Sequence, residues 1–552
     1  MNKNYLKIIS LGGFGNVTKN MYVYETDQDI IIVDCGIGFP EEEMLGVDLV
    51  IPDISYLKPK MGKIRALFLS HGHEDHIGAL PYLLPKLPDR LPIFAPRWAK
   101  GLVENKLSEF GLIPNIEEVS EGKRVKAAGF TVEFIKVTHS IPDTLHLVIE
   151  TPVGRIYHAA DFKLDLSPVM GGPTNQELVK KAGDSGVLCL LSDCLRSENP
   201  GFTPPEVKLE EVLEKEIMDC PGKFIVTTMS SNISRLKQAI DVSLKHGRKI
   251  VLVGRSIEKN ILLAQKLNYI SYSKETFISK KIINRFPPNS LTLLVAGSQG
   301  QVGSAMERLV GGEIDSFKIK PGDKVVFSSD AIPGNEVPIN NLIDNIYRLG
   351  AEVSYSDANG ALHVSGHGSQ GDLSKLMELV KPKYLIPIGG NYRHMIAYKK
   401  LAQKNGYKPN QVVILDGGQT VIFDSNGAVS LKEKVFVGQI MVDALGVGDV
   451  GNVVLRDRQI LAEEGMVVAI LPISQQTGEL QDEPEVVSRG VIYIKENFEL
   501  LNQAIEGIKK TLKNNHKVDN RLIRQKTQIF LENFFFEKTG RRPMVLVVII
   551  EI

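Results

Sequence analysis

The chain has 552 residues, 43% hydrophobic and 24% charged, with 65 basic and 65 acidic side chains and a formal net charge of +0. That length allows roughly three or four domains, and the composition is that of a soluble globular protein. Balanced charge excludes a generic polyanion binder, so any nucleic-acid contact must come from a local basic groove.

Residues 1–5 lack the apolar core of a signal peptide. Residues 5–10, 21–25 and 30–33 read as strands of one sheet, the third closed by Asp34-Cys35-Gly36. Residues 66–70 read as a buried strand. Directly after it stand His71, His73, Glu74, Asp75 and His76. Three imidazoles and two carboxylates in one short loop suit zinc or manganese, and without a cation so many ionisable groups repel or desolvate one another. A solvated polar loop is the bland alternative. Glu74 points away from its neighbours in such a loop and is expected to support a ligand from behind or to face solvent. Helical patterns follow at 78–84 and 100–110. His139 follows a strand at 132–137, and Asp161 follows one at 155–157. Sites on strand-end loops of a mixed chain indicate an α/β layered fold.

A second block starts near Pro204-Pro205-Glu206. Apolar strands at 223–227, 249–253, 291–295 and 324–328 alternate with helices, the rhythm of a parallel sheet. Another strand at 382–387 ends in a glycine-rich loop. Residues 432–458, rich in Gly, Val and Asp, read as a linker. Beyond them, strands at 466–472 and 490–494, amphipathic helices at 497–514 and 520–538, and a strand at 545–550 predict a small α+β domain. That last strand is apolar on both faces and needs a cover, either a second subunit or its own helices. It belongs to the longest apolar run, 544–550, which is too short to cross a bilayer. Cys35, Cys189, Cys194 and Cys220 show no CxxC spacing and read as reduced, mostly buried thiols of a cytoplasmic protein.

The ordered set His71, His73, Asp75, His76, His139, Asp161 resembles the metallo-β-lactamase superfamily. The strings Ser192-Asp193, Asn199 to Thr203, Gly297-Ser298-Gln299-Gly300, Ile332 to Glu336 and His363-Val364-Ser365-Gly366-His367 narrow the resemblance to its β-CASP branch and to ribonuclease J; stretches 41–55 and 445–458 agree. The resemblance implies an αββα sandwich at 1–205, a β-CASP domain at 206–368, the rest of the sandwich at 369–431, a linker at 432–458 and a C-terminal domain at 459–552. It implies that His71, His73 and His139 hold one divalent metal, that Asp75 and His76 hold a second, and that Asp161 bridges them, with Asp34 as a buttress. Zn2+ leads and Mn2+ is the alternative. Residues 363–367 become the substrate loop, and Asp75, Asp161 and His367 the catalytic set, His367 donating a proton to the leaving oxygen or steadying the phosphorane. The substrate implied is single-stranded RNA, cut internally and from the 5′ end, with 5′-monophosphate ends preferred. Lys163, Arg235, Arg255 and Arg393 are candidates to line the RNA groove.

The family's PVHGEYRH motif reads here Pro387-Ile388-Gly389-Gly390-Asn391-Tyr392-Arg393-His394. Glycine has no donor, so the second metal site loses a ligand at Gly389 and is expected to bind weakly while hydrolysis is retained. His394 replacing that ligand is disfavoured. The gap also admits a catalytically weakened paralogue acting as an RNA-binding scaffold. A lactonase-like metallohydrolase is disfavoured by the inserted domain of roughly 160 residues. The resemblance adds a homodimer or homotetramer through the C-terminal domain, a paralogous subunit as a further partner, no membrane, and a structural cation such as Ca2+ at Asp48 and Asp443.

Overall fold

Runs such as Met21–Glu25 and Ile30–Val33 have no polar face, and strands of that kind need cover on both sides. In the computed structural model, which describes residues 5–332, 334–356, 362–427, 429–431, 433–444, 446–491, 498–513 and 519–552, they occupy the middle of an eight-stranded sheet. Its order is Val429–Ser430, Thr420–Asp424, Tyr5–Gly12, Met21–Glu25, Ile30–Val33, Ile64–Phe68, Ile93–Pro96, Ile116–Val119. A six-stranded sheet, ordered Tyr384–Ile388, Cys189–Asp193, Gly154–Ala159, Leu145–Thr151, Phe130–Lys136, Arg124–Ala127, packs against it. Tyr24, Ile31 and Phe68 of the first meet Phe134, Leu147 and Leu191 of the second in one apolar layer. Helices Gln176–Asp184, Gln370–Val380 and Tyr392–Lys404 cover the outer face of the six-stranded sheet through Val179, Leu376 and Tyr398. Helix Arg97–Glu109 packs along Ile93–Pro96 and Ile116–Val119. This is the expected αββα sandwich.

The inserted segment builds a five-stranded, all-parallel sheet in the order Lys249–Val253, Leu291–Val295, Phe224–Thr227, Lys324–Phe327, Glu352–Ser354. Its central strand Phe224–Thr227 is buried throughout, because apolar side chains cover both faces of the sheet. All four cysteines are buried free thiols.

The chain forms two compact units, residues 1–38 with 51–439, and residues 39–50 with 440–552. Several expectations are corrected in the second. The stretch 432–458 carries strands Gln439–Asp443 and Gly446–Val447 and the first turns of helix Asn452–Glu463, so it is not a plain linker. Met441, Val450 and Leu455 pack on Met44, Val47 and Val50, a partner some 400 residues away in sequence. For the same reason residues 39–50 cluster here and not with the sandwich. Asp443 pairs with the Arg458 guanidinium, and Asp48 Oδ2 accepts the Ala444 N–H at 2.8 Å.

The rest of this unit is a three-stranded sheet ordered Glu485–Arg489, Met466–Ile473, Met544–Glu551, with helices Phe498–Leu512 and Asn520–Thr539 closing its core through Ile508, Leu531 and Phe535. The second strand thus precedes the expected 490–494. Met544–Glu551 turns Val545 inward, whereas Leu546 and Ile550 are 52% and 49% exposed. Parts of several expectations lie outside the described residues: residues 1–4, Pro333 of 332–336, Lys432 and Leu445, 492–494, and the ends of helix 497–514. Among the described residues no helix is long and apolar enough to cross a membrane.

Candidate metal centre and substrate loop

Strand ends deliver the donors. Ile64–Phe68 runs into Ser70 and His71, and His73 is the N-cap of the one-turn helix Glu74–Ile77. His139 follows Phe130–Lys136, and Asp161 follows Gly154–Ala159. Gly154–Ala159, Cys189–Asp193 and Tyr384–Ile388 pair in parallel, with Asp193 opposite Ile388, which brings Asp161, Asp193 and Gly389 to one sheet edge.

His71, His73, His139 and Asp161 converge. His71 Nε2 and His139 Nε2 each lie 3.1 Å from His73 Nδ1 and 3.7 Å from Asp161 Oδ2. Four ligands about 2.0–2.1 Å from a tetrahedral zinc stand about 3.4 Å from one another, so the spacing fits one cation. Burial pushes His71 and His139 well below the ordinary histidine range and His73 down to about 4. At neutral pH these rings therefore offer lone pairs. In two of them the other nitrogen is engaged: His139 Nδ1–H donates to the Gly366 carbonyl at 2.8 Å, and His71 Nδ1 meets Ser70 Oγ at 3.0 Å. Such partners fix ring orientation and tautomer.

Asp75, His76 and Asp161 form a second donor group, with His76 Nε2 3.5 Å from Asp75 Oδ2 and 3.4 Å from Asp161 Oδ2. Asp34, fully buried and at φ 63°, accepts from Ser70 N, Ser70 Oγ and His76 Nδ1, the last at 2.7 Å. It buttresses the loop. Burial opposes charge on His76, but Asp75, Asp161 and Asp34 outweigh it and raise the ring well above the ordinary range. For Asp161 burial is likewise outweighed, by His76 and His367, and the carboxyl stays well below the usual range. Glu74 is exposed and pairs with Lys106 at 2.7 Å, outside both groups.

A third group joins Asp161 to Asp193 and His367. His367 Nδ1 donates to Asp193 Oδ2 at 2.8 Å, and its Nε2 lies 3.9 Å from Asp161 Oδ2. Burial would lower His367, yet Asp193 and Asp161 lift it to about 9. Gly389 sits at φ +63°, and a Cβ there would stand 3.8 Å from Asp161 Oδ1 and 3.9 Å from Asp193 Oδ1. The position the related motif fills with histidine is therefore a notch facing two carboxylates. His394 does not fill it. Its Nδ1 accepts the Asn391 N–H at the start of Tyr392–Lys404, and its Nε2 lies 3.5 Å from Glu198.

Of the expected substrate loop, His367 and Gly366 reach this centre. A Cβ on Gly366 would meet the His139 ring at 2.7 Å, so the close approach requires glycine. Ser365 Oγ accepts the His367 N–H at 3.1 Å and keeps its own proton to donate. Val364 is buried. His363 is not drawn into the donor groups; its Nε2 lies 3.8 Å from Asp330, and burial beside Arg235 lowers it to about 4.

Two groove candidates are corrected. Lys163 and Arg235 are 1% and 0% exposed and bind Glu206 from two sides. Arg255 is exposed, and Arg393 is exposed within 3.6 Å of Glu198. The sequence reading also passed over Asn20, whose Nδ2 stands 3.2 Å from His76 Nε2 and 3.4 Å from Asp75 Oδ2. It gave Asp193 no role, although a carboxylate closing the apolar strand Cys189–Asp193 was the available signal.

Comparison with known proteins agrees. The metallo-beta-lactamase superfamily matches residues 15–190, the ribonuclease J beta-CASP domain 221–346, the Zn-dependent metallo-hydrolase RNA specificity domain 360–414, and the ribonuclease J C-terminal domain 453–552. Ribonuclease J2 of Bacillus subtilis is 36% identical over 556 residues, spanning 100% of this chain and 99% of its own length. Ribonuclease J of Thermus thermophilus is 38% identical, spanning 100% and 96%. Ribonuclease J 1 of Streptococcus pyogenes is 36% identical, spanning 98% and 97%. A crystal structure of a protein of unknown function from Enterococcus faecalis shares the fold, with TM-score 0.54 and 15% identity over 76% of this chain and all of that one. With matching domains in this order and full-length relatives above 30% identity, the chain belongs to the ribonuclease J family, metal-dependent ribonucleases of the metallo-β-lactamase superfamily.

Proposed function

We propose that the protein hydrolyses phosphodiester bonds of single-stranded RNA, by 5′-to-3′ exonuclease and endonuclease action, in cytoplasmic RNA maturation and decay. The observation that carries this reading is the convergence of three donor groups on Asp161, with the His367–Asp193 pair beside them. Two divalent cations, Zn2+ by preference or Mn2+ as the alternative, would when bound supply positive charge at the scissile phosphate and make water more acidic. His71, His73 and His139 would hold one, Asp75 and His76 the other, and Asp161, which belongs to both donor groups, would serve each. His367, kept protonated by Asp193, faces the same carboxylate and donates its Nε2 proton to the leaving oxygen. Ser365 and the backbone of 363–367 steady a neighbouring phosphate, and 5′-monophosphate ends are preferred.

The test is digestion of 5′-labelled RNA carrying mono- or triphosphate ends, across Zn2+, Mn2+ and Mg2+, with Asp75→Ala as control. Release of labelled mononucleotide from monophosphorylated RNA is expected. Absence of cleavage in every metal by zinc-loaded protein favours the second reading, a weakened paralogue binding RNA beside an active subunit, for which the Gly389 notch speaks. Self-association belongs to the same proposal: the outward row Leu546, Val548, Ile550 suits a second copy. Sedimentation at micromolar concentration should give a dimer or tetramer, and Leu546→Lys with Val548→Lys a monomer.

A further inference from the structure

We propose that Lys163, Glu206 and Arg235 form a buried positioning device that hangs the substrate loop from the stretch following Asp161. The inference rests on the proposed role of residues 363–367 in holding RNA. Lys163 Nζ lies 3.0 Å from Glu206 Oε2 and 3.5 Å from Asp165 Oδ2. Arg235 donates to Glu206 Oε1 from Nη2 at 2.6 Å and from Nε at 3.2 Å. Its Nη1 reaches the Ser328 carbonyl at 2.9 Å and Ser328 Oγ at 2.6 Å. Ser328 Oγ then donates to the Leu362 carbonyl at 2.8 Å, one residue before His363. Every residue of this chain of contacts is at most 4% exposed.

The far end of the loop returns to the same stretch. Thr203 Oγ1 donates to the His367 carbonyl at 2.8 Å, and the fully buried Asp372 accepts from Thr203 N, Ser369 N and Leu164 N. Lys163 itself is stapled to the residue before His139: its N–H donates to the Thr138 carbonyl at 2.8 Å, and Thr138 Oγ1 donates to the Lys163 carbonyl at 2.5 Å. Residues 163–164 thus root both ends of the loop while holding the loops that carry His139 and Asp161.

The chemistry explains the residue types. Two cations and two carboxylates balance, so no charge is left alone in the interior. A buried ion pair seldom adds stability over an apolar cluster of equal volume. What an arginine adds is a planar fork, which fixes the angle between Glu206 on one side and Ser328 on the other; a lysine supplies one point charge and no second arm. The device specifies where Leu362 enters the loop.

The test compares Ser328→Ala, which cuts the last link while Arg235 keeps Glu206 and the Ser328 carbonyl, with Arg235→Lys, which keeps the pairing to Glu206 and loses the arm. Melting temperature, zinc content, backbone hydrogen exchange and steady-state RNA cleavage are measured on the full chain. Exchange across 362–369 should rise about fivefold in Ser328→Ala, the effect of one buried hydrogen bond, and more in Arg235→Lys. KM for RNA should rise by a similar factor with kcat and zinc content near wild type. Wild-type exchange at 362–369 in both folded variants overturns the proposal. So does exchange that rises equally over Phe224–Thr227 and Lys324–Phe327, which would mark a merely structural role. If the wild-type protein cleaves no RNA, the exchange measurement still judges the device, so the two readings fail separately.

Discussion

The two sides of the metal centre are built from the same loop and finished differently. On one side His71 and His73 meet His139 and Asp161, four donors with two of the rings locked by second partners. On the other side Asp75, His76 and Asp161 supply three, and the place for another is the Gly389 notch. The first side is complete because its extra donor comes from a neighbouring strand of the same sandwich. The second depends on a loop at the end of Tyr384–Ile388, where a single glycine removes the side chain. With Asp161 shared as we propose, a metal on the second side would bind more weakly without being lost.

Asp161→Ala should break the comparison by emptying both sides. RNA cleavage is expected to fall by about 10²–10³-fold or more, with both metals lost by elemental analysis. Survival of either metal at full occupancy would show that Asp161 is not shared. Gly389→His should sharpen the comparison in the other direction. The left-handed backbone there costs about 1–2 kcal/mol for a residue with a Cβ, yet the second metal should resist about tenfold more chelator and cleavage should rise at limiting Mn2+. An unchanged chelation curve would mean the notch adjoins no cation. Asp34→Asn removes the acceptor of His76 Nδ1 and should weaken the second metal about tenfold while sparing the first. Equal loss of both would erase the distinction between the sides.

The smallest effect is expected away from both sides, at Glu206. Burial acts to raise this carboxyl, but Arg235 and Lys163 outweigh it and hold it below the ordinary range. A depressed folded pKa adds stability above the unfolded value of about 4.3, and that stability is lost as pH falls through the folded value. Between pH 5 and 3, Glu206→Gln should therefore flatten the decline in melting temperature by about 2–4 °C. A decline as steep as in the wild type would show that Glu206 is not ionised in the folded protein.

Much of the site was legible because its donors crowd into one short motif, and the spacing of His71, His73, Asp75 and His76 needs no knowledge of distant partners. The parallel strands of the inserted domain were equally legible, since burial on both faces leaves an unbroken apolar run such as Phe224–Thr227. Lys163 and Arg235 were misread for the opposite reason. A basic side chain looks solvated until its partner arrives, and Glu206 lies 43 residues from one and 29 from the other. Gln439–Asp443 looked like linker because its apolar cover comes from residues 39–50.

Residue identity alone named the side chains able to bind a cation, for that is a property of a local motif, and the family resemblance marked Gly389 as the place where a donor is missing. Their convergence was decided by folding: register along Gly154–Ala159, Cys189–Asp193 and Tyr384–Ile388 sets Asp161, Asp193 and the notch side by side. Whether a buried charge faces RNA or another side chain was decided the same way, because Coulomb attraction in a low-dielectric interior depends on contacts only the folded chain creates.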